Sequence, residues 1–354
     1  MTKYNDFLMI DVEKHYPLIK YIFPGIDYYS PPVADGQIPS IQPGLKSAKD
    51  ASEVYGFPIY DDATLLKKNY DTVFIMWPVN SLGDWLDARL ECLVPTSVSN
   101  KTDILGRQKL MIDIFELIER LNPRRVVFID GNDSSKIKKG TDWLKSMGFR
   151  YDAIFKREYR RTHVYEYEDN VHPYPFQTFG FPNPPWLLFE NRVKGSKMEP
   201  GCFWSGAPIY RFQTEKPDEW CNRRDILVEI HHRLVIKSGL PKEEFLQQFN
   251  TYKFFLHLNG TGHLCGRFFE GLSRDSLMLM QEIDTVFPFD EGDYFSPECV
   301  FSNPGEFINN LELLSANDDL YRQCKDNQEY ILNKYYNYDF LRKYILNKLD
   351  HDQI

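Results

Sequence analysis

Residues 252–281, YKFFLHLNGTGHLCGRFFEGLSRDSLMLMQ, constrain the fold more than any other stretch of the chain. The apolar run Phe254 to Leu258 stops at Asn259-Gly260-Thr261-Gly262. A helix start follows at Gly266-Arg267, and a second apolar run spans Leu277 to Met280. Strand, glycine turn, helix, strand is the crossover unit of a parallel α/β protein. Such a turn lies at the carboxyl end of a strand and the amino end of a helix, where N–H groups and the helix dipole favour an anion. Arg267 adds a planar fork of donors suited to phosphate, and Glu270, three residues on, shares its helix face. Gly260, Thr261, Gly262, Arg267 and Glu270 are therefore candidates to hold the diphosphate and ribose of a sugar nucleotide. A structural crossover carrying a surface Arg–Glu pair accounts for the same residues.

The rest of the chain repeats the alternation. Short apolar runs lie at Phe7–Ile10, Thr72–Trp77 and Arg125–Ile129, the last followed by Asp130, and YDAIF at 151–155 is a further strand candidate. Between them, 103–121 carries Leu105, Leu110, Ile112, Ile114, Phe115 and Ile118 at helical spacing and ends at Asn122-Pro123. Helices alternating with short buried strands predict parallel layers. The proline-rich 172–186, HPYPFQTFGFPNPPW, excludes helix and central strand and reads as a linker. Beyond it, Cys202-Phe203-Trp204 reads as a strand, Ser205-Gly206 as a turn and Asn222–Lys237 as a helix. Residues 305–317 and 319–349 are predicted helical.

Composition excludes several classes. Hydrophobic content of 42% and charged content of 26% are those of a soluble globular protein. A net charge of -9 without long Lys/Arg runs argues against nucleic acid or an anionic membrane as partner. No apolar run approaches the ~18–20 residues of a membrane span. The amino end has no signal-peptide stretch, so a cytoplasmic protein is expected. The six cysteines lack C-x-x-C spacing and read as free thiols, and no H-x-x-x-H pair suggests zinc.

Two segments resemble one family. FWSGAP at 203–208 with NRRDILVEI at 222–230, and the 252–281 stretch, are similar in order and spacing to the glycosyltransferases of family 90, the capsule-associated xylosyltransferases and protein O-glucosyltransferases. The resemblance rests on Trp204-Ser205-Gly206, Arg224-Asp225-Ile226-Leu227, Tyr252-Lys253, Asn259-Gly260, Arg267 and Asp275-Ser276, and covers residues 200–330. It implies a GT-B fold, α/β with two Rossmann-like lobes, an interlobe cleft and a C-terminal helix crossing back. The expected bounds are 1–185 for the acceptor-side lobe, 186–330 for the nucleotide-sugar lobe and 331–354 for the returning helix. It implies inverting, metal-independent transfer of a sugar, xylose or glucose, from a UDP-sugar to a glycan or glycoprotein, with no cofactor and no metal site. The family's two diphosphate arginines map onto Arg224 and Arg267, with Ser205 and Gly206 beside them. The chain departs from the family at Ser205, which stands where the family has Arg, at His263-Leu264-Cys265 before Arg267, and at Glu270. The missing signal peptide also departs from secretory members and fits a soluble microbial or virus-encoded enzyme.

Inverting transfer needs a base for the acceptor hydroxyl. The best candidates lie in VVFIDGNDSS at 126–135, where an apolar strand delivers Asp130 and then Asp133. Carboxylates at a strand's carboxyl end face the ligand crevice of doubly wound sheets. In the family an Asp after such a strand is the base, and Asp130 is preferred to Asp133. Turn and helix capping accounts for both residues equally well. His163 and His172 are the alternatives. Lys156 and Arg157 are expected in solvent, and Phe268 and Phe269 in a helix core. Two other readings stand beside this one: an exostosin-like or retaining GT-B transferase, and a non-catalytic carbohydrate-binding protein on the same fold.

Overall fold

A parallel sheet covered on both faces turns its strands into continuous apolar runs, and the runs read above become its central strands. The computed structural model describes residues 4–11, 21–29, 31, 62–77, 79, 111–131, 135–174, 176, 198–206, 223–259, 263–264 and 266–351. Two sheets result. The first contains β1 (Phe7–Asp11), β2 (Asp27–Tyr29), β3 (Thr72–Met76), β4 (Arg125–Asp130), β5 (Ala153–Lys156) and β6 (Val171–Pro173), in the order β2-β1-β3-β4-β5-β6. The second contains β7 (Glu199–Trp204), β8 (Leu234–Ile236), β9 (Tyr252–His257), β10 (Leu277–Gln281) and β11 (Val300–Phe301), in the order β11-β10-β9-β7-β8. Every neighbouring pair is parallel. Counted from its own first strand, each sheet begins with the doubly wound order 2-1-3-4-5. The direction of growth therefore reverses between β1 and β3 in the first sheet, and between β7 and β9 in the second.

Each sheet has its own core. Leu8, Ile10, Val73, Ile75, Phe128 and Ile154 pack with Met111, Ile114, Phe115 and Ile118 of the helix at 111–121 and with Leu144. In the second, Trp204, Phe254, Leu256, Leu277 and Leu279 pack with Ile226, Leu227 and Ile230 of one helix and with Phe307 and Leu314 of another. Each such side chain contributes about 1.5–3 kcal/mol by leaving water. The chain divides into two compact units, Met1–Pro182 with Arg342–Ile354, and Asn183–Leu341. The carboxyl-terminal helix Tyr338–His351 is tied to the first unit. Tyr344 donates to the Pro173 carbonyl at 2.7 Å, and Arg125 pairs with Asp350 at 2.7 Å. The expected fold class, α/β with two Rossmann-like parallel units, agrees with this architecture.

Three local expectations are corrected. The helix expected over 222–237 covers Arg223–Ile230. A short 3-10 turn, His231–Arg233, then leads into β8. The helix expected over 319–349 is two helices, Asp318–Tyr335 and Tyr338–His351. The break is at Asn337, whose Oδ1 accepts the Phe340 N–H and caps a new helix. The proline-rich stretch begins inside the sheet, since His172 and Pro173 belong to β6. That strand lies at a sheet edge, where proline's missing N–H costs no ladder bond.

Candidate functional site

At the second sheet, Arg267 and the Ser205-Gly206 pair come together beside the carboxyl end of β7. β9 ends at His257, and Arg267 lies in the first turn of the helix Gly266–Leu272. Its guanidinium Nη1 donates to the carbonyl of Ser205, the residue after β7, at 2.7 Å. The contact thus joins the loops that follow β7 and β9, the two strands between which the chain order reverses. Open parallel sheets bind ligands outside the carboxyl ends of the strands at this switch point. A Cβ at Gly206 would stand 2.1 Å from Arg267 Nη1, so a side chain there would make the guanidinium shift. Among the described residues no carboxylate forms an ion pair with Arg267. Arg267 is half-buried, and among the described residues its one hydrogen bond is to a neutral carbonyl.

Glu270 lies on the same helix and is buried. Its charge acts on Arg274, whose guanidinium is pushed down by burial and pushed back up by the Glu270 carboxylate. The helix itself sits hard against β9, because a Cβ at Gly271 would stand 2.0 Å from the Phe255 ring. Phe268 and Phe269 are buried, as expected of a helix core.

Arg224 is exposed on the first turn of Arg223–Ile230, and among the described residues no contact joins it to Arg267. Its neighbour Arg223 carries the structural load. Arg223 is 2% exposed and donates to the Leu258 carbonyl at 3.0 Å and the Asn259 carbonyl at 2.9 Å. The signal was available: Arg223, Ile226, Leu227 and Ile230 share one face at helical spacing. Arg223 places this turn at the carboxyl end of β9, the edge that Arg267 occupies.

The first sheet treats its charges differently. Asp130 is the last residue of β4 and is fully buried. Its Oδ1 accepts from Lys156 Nζ at 3.1 Å and its Oδ2 from the Val79 N–H at 3.0 Å. Asp130 and Lys156 are register partners at the ends of β4 and β5. Both carboxylate oxygens of Asp130 are thus engaged by the protein itself. Lys156 and Arg157, expected in solvent, are 0% and 2% exposed. Lys156 closes the strand as its last residue, and a strand end between buried neighbours cannot leave its ammonium in water. His172 is buried in β6, while His163 is half-exposed, with Nδ1 3.1 Å from Ser135 Oγ. Asp133, Gly260, Thr261 and Gly262 lie outside the described residues.

Among the described residues no group of three or more His, Cys, Asp or Glu side chains is arranged to hold a metal, and no helix is long and apolar enough to cross a membrane.

No protein-family model and no curated protein matches the chain. Solved structures do. T4 phage BGT in complex with UDP and Mn2+ is 13% identical, with 97% of this chain and 99% of that chain covered and a TM-score of 0.47. A DNA-modifying β-glucosyltransferase, solved in the presence and absence of its substrate uridine diphosphoglucose, is 12% identical at a TM-score of 0.47, with 97% of this chain and 99% of that chain covered. A mutant O-GlcNAc transferase of Thermobaculum terrenum is 11% identical at a TM-score of 0.48, with 98% of this chain and 68% of that chain covered.

Proposed function

We propose that the chain is a glycosyltransferase that moves a sugar, xylose or glucose, from a UDP-sugar to a glycan or glycoprotein, with inversion and without a metal or other cofactor. The observation that carries the reading is the Arg267 guanidinium at the β7/β9 switch point, bonded at 2.7 Å to a carbonyl and carrying its charge unneutralised among the described residues. A departing nucleoside diphosphate gathers negative charge as the sugar–oxygen bond breaks, and a fixed guanidinium stabilises that charge more than it stabilises the ground state. Arg224, on the helix turn that Arg223 anchors to the same strand end, is the proposed second contact. Buried Glu270 is the candidate for the ribose hydroxyls, and Ser205 and Gly206 line the approach. Gly260, Thr261 and Gly262, which lie outside the described residues, are the proposed remainder of the diphosphate site.

The base must be open to the acceptor. Asp130 is committed to Lys156, so within the loop the role passes to Asp133, with His163 beside Ser135 as the alternative. Replacement of Asp133 by Asn is expected to lower transfer by about 10²–10⁴-fold, the range for a positioned acid or base, with melting temperature and UDP affinity unchanged. Wild-type transfer by that variant moves the role to His163.

The test is thermal stabilisation by a panel of nucleotide sugars, followed by transfer to glycan, glycoprotein and duplex DNA acceptors with and without EDTA. Stabilisation by UDP with sugar release from UDP-glucose or UDP-xylose in EDTA supports the reading. UDP binding without turnover favours a carbohydrate-binding protein on the same fold. Retained anomeric configuration favours a retaining or exostosin-like transferase.

A further inference from the structure

Four hydrogen bonds hold the described residues between β9 and Arg267. The Asn259 N–H donates to Gln281 Oε1 at 3.2 Å, and Asn259 Nδ2 donates to the Glu282 carbonyl at 3.0 Å. On the far side of residues 260–262, the Asp284 N–H donates to the His263 ring at Nδ1, at 3.0 Å. The buried ring of His257 reaches the carbonyl of His263 through Nε2 at 2.9 Å. The described residues on either side of 260–262 are thus pinned to the same segment, 281–284, at and just beyond the end of β10.

We infer that His263 is a positioning residue for the nucleotide: its Nδ1 clasps the chain entering the Arg267 helix to the Asp284 amide and so sets where Arg267 stands. The inference rests on the nucleotide-binding reading above. A ring accepting at Nδ1 is the neutral tautomer with its proton on Nε2. The function of the ring in this place is that of a lone pair at a fixed distance from its own backbone. An asparagine can supply such a lone pair from Oδ1, whereas glutamine places its oxygen one bond farther out and alanine has none. A purely space-filling histidine would not discriminate asparagine from glutamine in this way.

The clasp also explains why an imidazole tolerates the half-exposed position. Its carbonyl and its ring both point at protein partners, so the residue is fixed at two points while its backbone continues into Leu264, which is buried. Loss of the ring bond leaves the Asn259 anchors and the His257 contact to the His263 carbonyl in place and removes the tie to the Asp284 amide.

The experiment compares wild type, His263→Ala, His263→Gln and His263→Asn in two readouts: hydrogen exchange of the Asp284 amide, and UDP affinity by calorimetry. Alanine and glutamine are expected to speed Asp284 exchange and weaken UDP by roughly tenfold, the loss expected of one hydrogen bond. Asparagine is expected to restore both. Melting curves identify any variant that fails to fold, and glutamine, close to histidine in volume, then replaces alanine. Wild-type UDP affinity in the alanine and glutamine variants overturns the positioning role, whether or not Asp284 exchange rises. Equal losses in asparagine and glutamine overturn it as well. Wild-type protein that does not bind UDP overturns the nucleotide reading and the inference with it, and the exchange data then report the clasp as structural.

Discussion

The two sheets end in opposite electrostatic states. At the carboxyl edge of the first, Lys156 pairs with Asp130 at 3.1 Å with both side chains fully buried, and Arg160 lies 3.7 Å from Glu158. At the corresponding edge of the second, the one hydrogen bond of Arg267 among the described residues is to the Ser205 carbonyl. The two sheets share the 2-1-3-4-5 order, yet the first edge closes its charges on each other, while among the described residues Arg267 has no carboxylate partner. A strand-end cation is therefore not in itself a binding signal. What distinguishes Arg267 from Lys156 is its partner, and a carbonyl does not cancel charge.

The largest expected effect breaks the first edge. Asp130→Asn leaves the Lys156 ammonium buried without its counter-charge and is expected to cost about 3–5 kcal/mol of stability. Chemical denaturation measures it. Pairing the change with Lys156→Met should recover much of the loss, because the buried charge is then gone from both sides. A mild effect of the single variant would mean that the first edge is as open as the second.

Arg223 and Arg224 sharpen the comparison within one helix turn. Arg223→Ala removes two bonds from a guanidinium to strand-end carbonyls and is expected to destabilise the protein by about 1.5–3 kcal/mol. Arg224→Ala should leave stability within about 0.5 kcal/mol, as exposed sites do, and weaken UDP alone. Loss of stability in Arg224→Ala with none in Arg223→Ala would reverse the assignment. The smallest effect belongs to Gly206→Ala. Its methyl must displace the Arg267 guanidinium from Ser205, so UDP affinity should fall by less than it does on deleting Arg267, with little change in melting temperature. Unchanged affinity would show that the Ser205 contact does not set the guanidinium's position.

Much of this architecture is legible in the sequence. Central strands β1, β3, β4, β9 and β10 are apolar runs because both their faces are covered. The four edge strands β2, β6, β8 and β11 are three residues or fewer and make no run that a pattern can register. The helix start at Gly266-Arg267 is visible because helix starts are local. The fate of Lys156 and Asp130 is not, because it depends on which strand lies beside which, and parallel neighbours are far apart in sequence. Arg223 lies between these cases: its helical face is legible, but its carbonyl partners come from the end of β9. His263 carries no sequence signal, since its partner is a backbone amide after another strand.

The central claim is that Arg267 holds a nucleoside diphosphate at the β7/β9 switch point. It is tested most directly by titrating UDP into wild-type protein and Arg267→Ala in EDTA, with melting curves on both. The expected result is measurable binding by wild type, a loss of about 1.5–3 kcal/mol in the variant, the range for hydrogen bonds to charged groups, and equal melting temperatures without ligand. Equal UDP affinity in the two proteins, or no binding by wild type, would contradict it.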